Sequence, residues 1–225
     1  MISEAEKGYL NLLRKDVKTP EERILMEILG SKFEQELKEE IKVLNFAIKK
    51  KNYLINDIWD LVNTNKPYPE LIDLLVEHLP VKYHLRNREA IIRALAVREA
   101  KGKAANLLIK EYHNFNKDLS DLRWVIGNSV CYTATQSDLR DIISIVKEKN
   151  NGCSRQMFVR ALAKFKTSEV ETVLINLLSD DEVAADAIMS LAKLKSINAK
   201  GKIEELLNHS NKIIKKEAQK ALNKL

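Results

Sequence analysis

Trp124, Asn128 and Tyr132 stand four residues apart, and so do Gln156, Arg160 and Lys164. Residues at that spacing share one face of a helix, so each trio is a stripe of side chains able to meet the same ligand. An indole offers a flat apolar area with one donor, and a guanidinium grips a carboxylate or phosphate with two parallel N–H groups. Arg93 lies in the same phase upstream and Lys193 downstream. The chemistry these residue types suit is recognition. An acidic or extended segment would dock with Trp124 and Tyr132 as apolar anchors and with Arg93, Arg160 and Lys164 on its carboxylates. For Trp124 two placements are open, one facing a groove and one packed between helices with its N–H on a backbone carbonyl.

A second row comprises Arg88, Arg123, Arg155 and Lys215, each five residues before Arg93, Asn128, Arg160 and Lys220. Such a row could track a phosphate backbone. It could equally pair with acids at neighbouring helix ends, such as Asp121 or Glu89.

Nothing in the spacing calls for catalysis. His78, His84, His113 and His209 are scattered, no Cys, His and Asp cluster has metal-ligand spacing, and there is no phosphate loop or nucleophile elbow. A non-enzymatic protein without metal or cofactor is expected. Cys131 and Cys153 fall near opposite ends of successive helices, about ten residues of axial offset at about 1.5 Å each, too far for a disulfide.

The elements that hold these rows announce themselves by a recurring pair, a small residue followed by an aliphatic one: Ala94-Leu95, Ser129-Val130, Ala161-Leu162, Ser190-Leu191 and Ala221-Leu222, at steps of 35, 32, 29 and 31 residues. A period of that length marks a stacked solenoid, whose units bury their apolar faces only against one another. First helices are predicted near 69–79, 102–113, 136–148, 168–178 and 199–208, second helices near 87–98, 121–133, 154–165, 181–194 and 211–224. The last helix carries polar residues on the side that would meet a further unit, as a capping unit does.

The 225 residues include only six Gly and four Pro, which suits helices joined by short loops. With 45% apolar and 31% charged residues the chain is expected to be folded. Residues 1–65 carry 11 Lys and Arg against 12 Asp and Glu, whereas residues 66–225 carry 27 against 20, so the repeats form the basic part. That excess suits an acidic partner. No run of about 18 apolar residues occurs and the N-terminus has no basic stretch leading into an apolar one, so a cytoplasmic protein that spans no membrane is expected.

Residues 1–65 read as helices without the repeat. Thr19-Pro20-Glu21-Glu22 has the form of a helix start, that helix is predicted to end at Gly30, and a longer one follows from Phe33 along Leu37, Ile41, Leu44 and Ile48. The prolines and asparagines of 63–69 set the boundary between an N-terminal helical cap, 1–65, and a repeat array, 66–225.

The stretch from Leu177 to Leu194, with its Leu-Leu helix end, acidic turn, valine and small-Leu positions, resembles a short HEAT repeat of the phycobilisome-lyase type, and Leu207 to Leu222 repeats the pattern. The resemblance covers roughly 69–225 and departs from the usual form at Ala185 and Lys216, where an arginine often follows the valine. It implies an all-α, right-handed solenoid of about five hairpins whose second helices line a concave surface. A role as a protein-binding scaffold or adaptor follows as the expectation. In arrangement alone, Trp124, Asn128 and Arg160 are also similar to the tryptophan, carboxylate and arginine of the HEAT-like alkylpurine DNA glycosylases. Asn128 stands where the carboxylate would be, and an amide lacks the charge that stabilises an oxocarbenium-like centre. This second resemblance therefore implies a catalytically impaired relative that binds a nucleic-acid backbone.

Overall fold

In the computed structural model, which describes residues 2–225, the chain is helical throughout, with no strand among the described residues. Packing divides it into two units, Met1–Asn65 with Val81–Ala90, and Lys66–Pro80 with Ile91–Leu225.

The first unit holds α1 (Glu4–Leu13), α2 (Pro20–Glu40), α3 (Lys42–Lys50) and α4 (Trp59–Asn63). Thr19 caps α2 reciprocally: its hydroxyl accepts from the Glu22 N–H at 3.2 Å, and the Glu22 carboxylate accepts from the Thr19 N–H at 3.0 Å. Contrary to the sequence expectation, α2 does not stop at Gly30. The glycine is kept inside the helix by a close approach, since a Cβ there would lie 3.1 Å from the Tyr9 ring of α1. The interruption comes at Ile41 instead, and the buried stripe Phe33, Leu37, Ile41, Leu44 and Ile48 continues across it. Residues 81–90 are tied into this unit by polar contacts. The Asn87 amide donates to the Leu37 carbonyl at 3.0 Å and to Glu40 at 2.7 Å, and His84 Nε2 lies 3.1 Å from Glu6.

Next come α5 (Ile72–His78), α6 (Leu85–Ala94), α7 (Ala105–Asn114), α8 (Ser120–Thr133), α9 (Leu139–Lys147), α10 (Gln156–Leu162), α11 (Ser168–Asn176), α12 (Ala184–Leu194), α13 (Lys200–Glu205) and α14 (Lys212–Leu222). In the second unit α7 pairs with α8, α9 with α10, α11 with α12 and α13 with α14. The second members form their own packed layer, α8 on α10, α10 on α12 and α12 on α14. Of the recurring small-aliphatic pairs, every residue except Leu222 is buried. The sequence period therefore marks the seam along which successive second helices meet.

Candidate functional site

The seam is fastened by hydroxyls. Ser129 donates to the Ile92 carbonyl at 2.7 Å, and Ser190 donates to the Val159 carbonyl at 3.1 Å. In both, the small residue of one repeat reaches the residue two before the small residue of the preceding one. Gly127 brings α8 still closer to α10: a Cβ there would come within 2.9 Å of the Phe158 ring and 3.0 Å of Met157 Cβ. This spacing fixes the second helices side by side and sets where their outward stripes fall.

The predicted stripe is assembled in part. Trp124 is half-buried, and its Nε1 donates to Gln156 Oε1 at 3.2 Å, a side chain of the next repeat rather than the backbone carbonyl weighed from sequence. Gln156 in turn donates to the Glu182 carbonyl at 3.0 Å, so one chain of hydrogen bonds crosses three repeats. Arg160 is exposed but engaged, with its Nε on Asp186 of α12. Asp186 is almost fully buried, and burial, ahead of the opposing effect of Arg160, raises its carboxyl above the ordinary aspartate value. Asn128 and Arg93 are half-buried, while Tyr132, Lys164 and Lys193 are exposed.

The second row requires a correction. Arg123 is 3% exposed and Arg155 0%, so neither can follow a phosphate backbone on the surface. The Arg123 guanidinium lies over the Tyr112 ring at 4.0 Å, donates from Nε to the Tyr112 carbonyl at 3.3 Å, and donates from Nη2 to Asn151 at 2.8 Å. Arg155 donates to the carbonyls of Gly152 and Val146 at 3.0 and 3.1 Å and makes ion pairs with Asp180 at 3.0 Å and Glu182 at 2.9 Å. The acids that Arg155 pairs with belong to the following repeat. Arg88 is half-buried and lies in the first unit; Lys215 is exposed in the second.

At the C-terminal ends of α8, α10 and α12 a different cluster forms. Cys131 donates to the Met157 carbonyl, and burial pushes its thiol up to about 11 although Lys164, Arg160 and Lys193 lie within electrostatic reach. Burial, ahead of the opposing pull of Cys131 and helped by the smaller like-charge effects of Lys101 and Lys193, holds Lys164 below the ordinary lysine value. None of Lys101, Lys164 and Lys193 is in an ion pair among the described residues, and exposed Tyr132 is the next residue after Cys131. No group of three metal-ligating side chains comes together among the described residues, nor is any described helix long and apolar enough to cross a membrane.

Residues 139–223 match the family model for HEAT repeats. The match covers α9 to α14 and supports a HEAT-repeat family for this stretch. No curated protein and no solved structure matches the chain.

Two participants were missed from sequence. Lys101 lies in a connection after α6, where no periodicity exists to align it. Asp186 left a readable signal, since it occupies the phase filled by Val125 and Met157 in earlier repeats, and a carboxylate among apolar equivalents demands a partner.

Proposed function

We propose that this protein is a non-enzymatic scaffold or adaptor that docks an acidic protein segment on the exposed face of its second helices. The observation that carries the reading is the lysine cluster: Lys101 and Lys193 lie within electrostatic reach of Lys164, none of the three is in an ion pair among the described residues, and exposed Tyr132 follows Cys131 of the same cluster. A partner carboxylate would relieve their mutual repulsion, and the tyrosine ring supplies an apolar anchor of the kind enriched at binding hot spots. The HEAT-repeat match supports the reading, because stacked repeats present extended concave surfaces to partners. In this reading residues 66–225 form a right-handed array of five hairpins of the short phycobilisome-lyase type, and residues 1–65 cap it.

Trp124 and Gln156 flank the site through their mutual hydrogen bond, and Arg160 acts by exchanging Asp186 for a carboxylate of the partner. Nucleic acid is the rival partner, with Lys215 and the three lysines as its contacts. Burial of Arg123 and Arg155 takes two cations from that surface.

The test is retention of partners from native lysate by the wild-type chain and by a Tyr132→Ala, Lys164→Glu variant, each with and without nuclease. A discrete protein held by wild type, lost by the variant and indifferent to nuclease is the expected result. Loss of all retained material on nuclease treatment would transfer the site to nucleic acid, with a salt slope of about −0.9 per phosphate on duplex DNA.

A further inference from the structure

Helix α2 carries an exposed apolar stripe that the first unit does not use. Ile24 is 59% exposed, Leu25 47% and Ile28 58%, although Phe33 and Leu37 on the same helix are buried. Exposed aliphatic residues scattered singly are ordinary, but three contiguous ones on one helix face form a patch that asks for a partner. Glu21, Leu25, Ile28 and Lys32 follow one another at steps of four, three and four residues, the spacing of a coiled-coil seam. The stripe thus has an acid at one end, aliphatic residues in the middle and a base at the other, with both Glu21 and Lys32 exposed.

The arrangement has an internal symmetry. The point midway between Glu21 and Lys32 falls between Met26 and Glu27, and so does the point midway between Leu25 and Ile28. An antiparallel copy of the helix, turned about that point, sets Leu25 against Ile28 and Ile28 against Leu25. In the same register it sets Glu21 against Lys32 at both ends. A two-fold interface requires this self-complementarity, in which a surface meets its own image and each contact occurs twice. A parallel copy would instead oppose Glu21 to Glu21 and Lys32 to Lys32, which is repulsive at both ends.

We infer that α2 is a homodimerisation helix, and that its occupant is the α2 of a second copy in antiparallel register. The apolar residues supply the attraction and the end charges supply the direction, as charged positions flanking a seam do in paired helices. This inference is independent of the docking site on the second helices.

Sedimentation equilibrium of the full chain, run across a range of concentrations, tests it. Wild type should show a concentration-dependent transition from one chain to two. Ile28→Glu should weaken the dimer by at least about 30-fold, the scale of losing a central anchor, while at concentrations where wild type is also a single chain the two should melt at the same temperature, because the side chain is exposed there. Glu21→Lys and Lys32→Glu should each weaken it about tenfold by placing like charges together, and the double variant Glu21→Lys, Lys32→Glu should return to wild-type affinity. A wild-type mass of one chain throughout would overturn the inference. So would a dimer that survives Ile28→Glu, and a double variant no better than the singles would overturn the antiparallel register.

Discussion

Arg155, at the threshold of α10, reaches into the next hairpin to hold Glu182 at 2.9 Å. The guanidinium has no exposed surface; its Nε and Nη1 donate to the Gly152 and Val146 carbonyls, and Nη1 also lies 3.0 Å from the Asp180 carboxylate as an ion pair. Arg123 makes the corresponding reach one repeat earlier, to Asn151. These arginines are the polar rivets of the array, and their side chains are committed to folding.

Removing such a group leaves its buried partners unsatisfied. Arg155→Ala is expected to cost about 3 kcal/mol, and Arg155→Met less, because its unbranched chain fills part of the space. Denaturant melts of the two variants measure both. A loss under about 1 kcal/mol for the alanine would mean that solvent replaces the arginine freely.

The hydroxyl fastenings should be smaller and independent. Ser129→Ala and Ser190→Ala are each expected to lower stability by about 1 kcal/mol, and the double variant by their sum, since the two sites share no partner. Clear non-additivity in denaturant midpoints would show that the seam yields as one cooperative element.

Asp186 gives a pH signature. Its carboxyl is raised by burial, so the folded chain holds the proton more tightly than the unfolded chain, and stability falls as pH rises through the raised value. Asp186→Asn should therefore melt at a higher temperature than wild type near neutral pH. The gap should close as pH falls below the ordinary aspartate range, where both chains carry a neutral side chain. A variant that melts lower than wild type at neutral pH would show that the Arg160 ion pair outweighs the cost of burial.

Thiol chemistry separates the two cysteines, both of which are free. With its thiol at about 11, Cys131 is roughly one part in a thousand thiolate at about pH 8, against about a quarter for an ordinary thiol. Iodoacetamide followed by mass spectrometry should label exposed Cys153 first and leave Cys131 at least about a hundredfold slower until denaturant is added. Equal rates would mean that the end of α8 opens readily.

The fold was legible because periodicity is written in apolar residues, and the small-aliphatic pairs named the seam before any helix was placed. The chain from Thr19 to Glu22 likewise announced its own cap. The site was harder to read. Spacing put Trp124 and Gln156 on the same face of successive helices, and a hydrogen bond joins them, but it could not tell an outward arginine from a buried one. Arg123 and Arg160 look alike in sequence; their difference lies in Asn151 and Asp186, each more than twenty residues away. Gly30 misled for a related reason. Its role is to admit Tyr9 from another helix, and a local reading has only the flexibility of the glycine to weigh.

The buried arginines sit at the N-terminal ends of the second helices, while Tyr132, Lys164 and Lys193 sit toward the C-terminal ends, where the ties across repeats are weaker: the Cys131 thiol on the Met157 carbonyl and the pair of exposed Arg160 with Asp186. Stiffness is therefore unequal across the layer. One edge behaves as the spine of a book and the other as the fore-edge of its pages, free to fan open or close by small rotations about the tied side. A partner gripping the lysines would meet a surface of adjustable width, and segments of differing bulk could be accommodated without disturbing the contacts of Arg123 and Arg155.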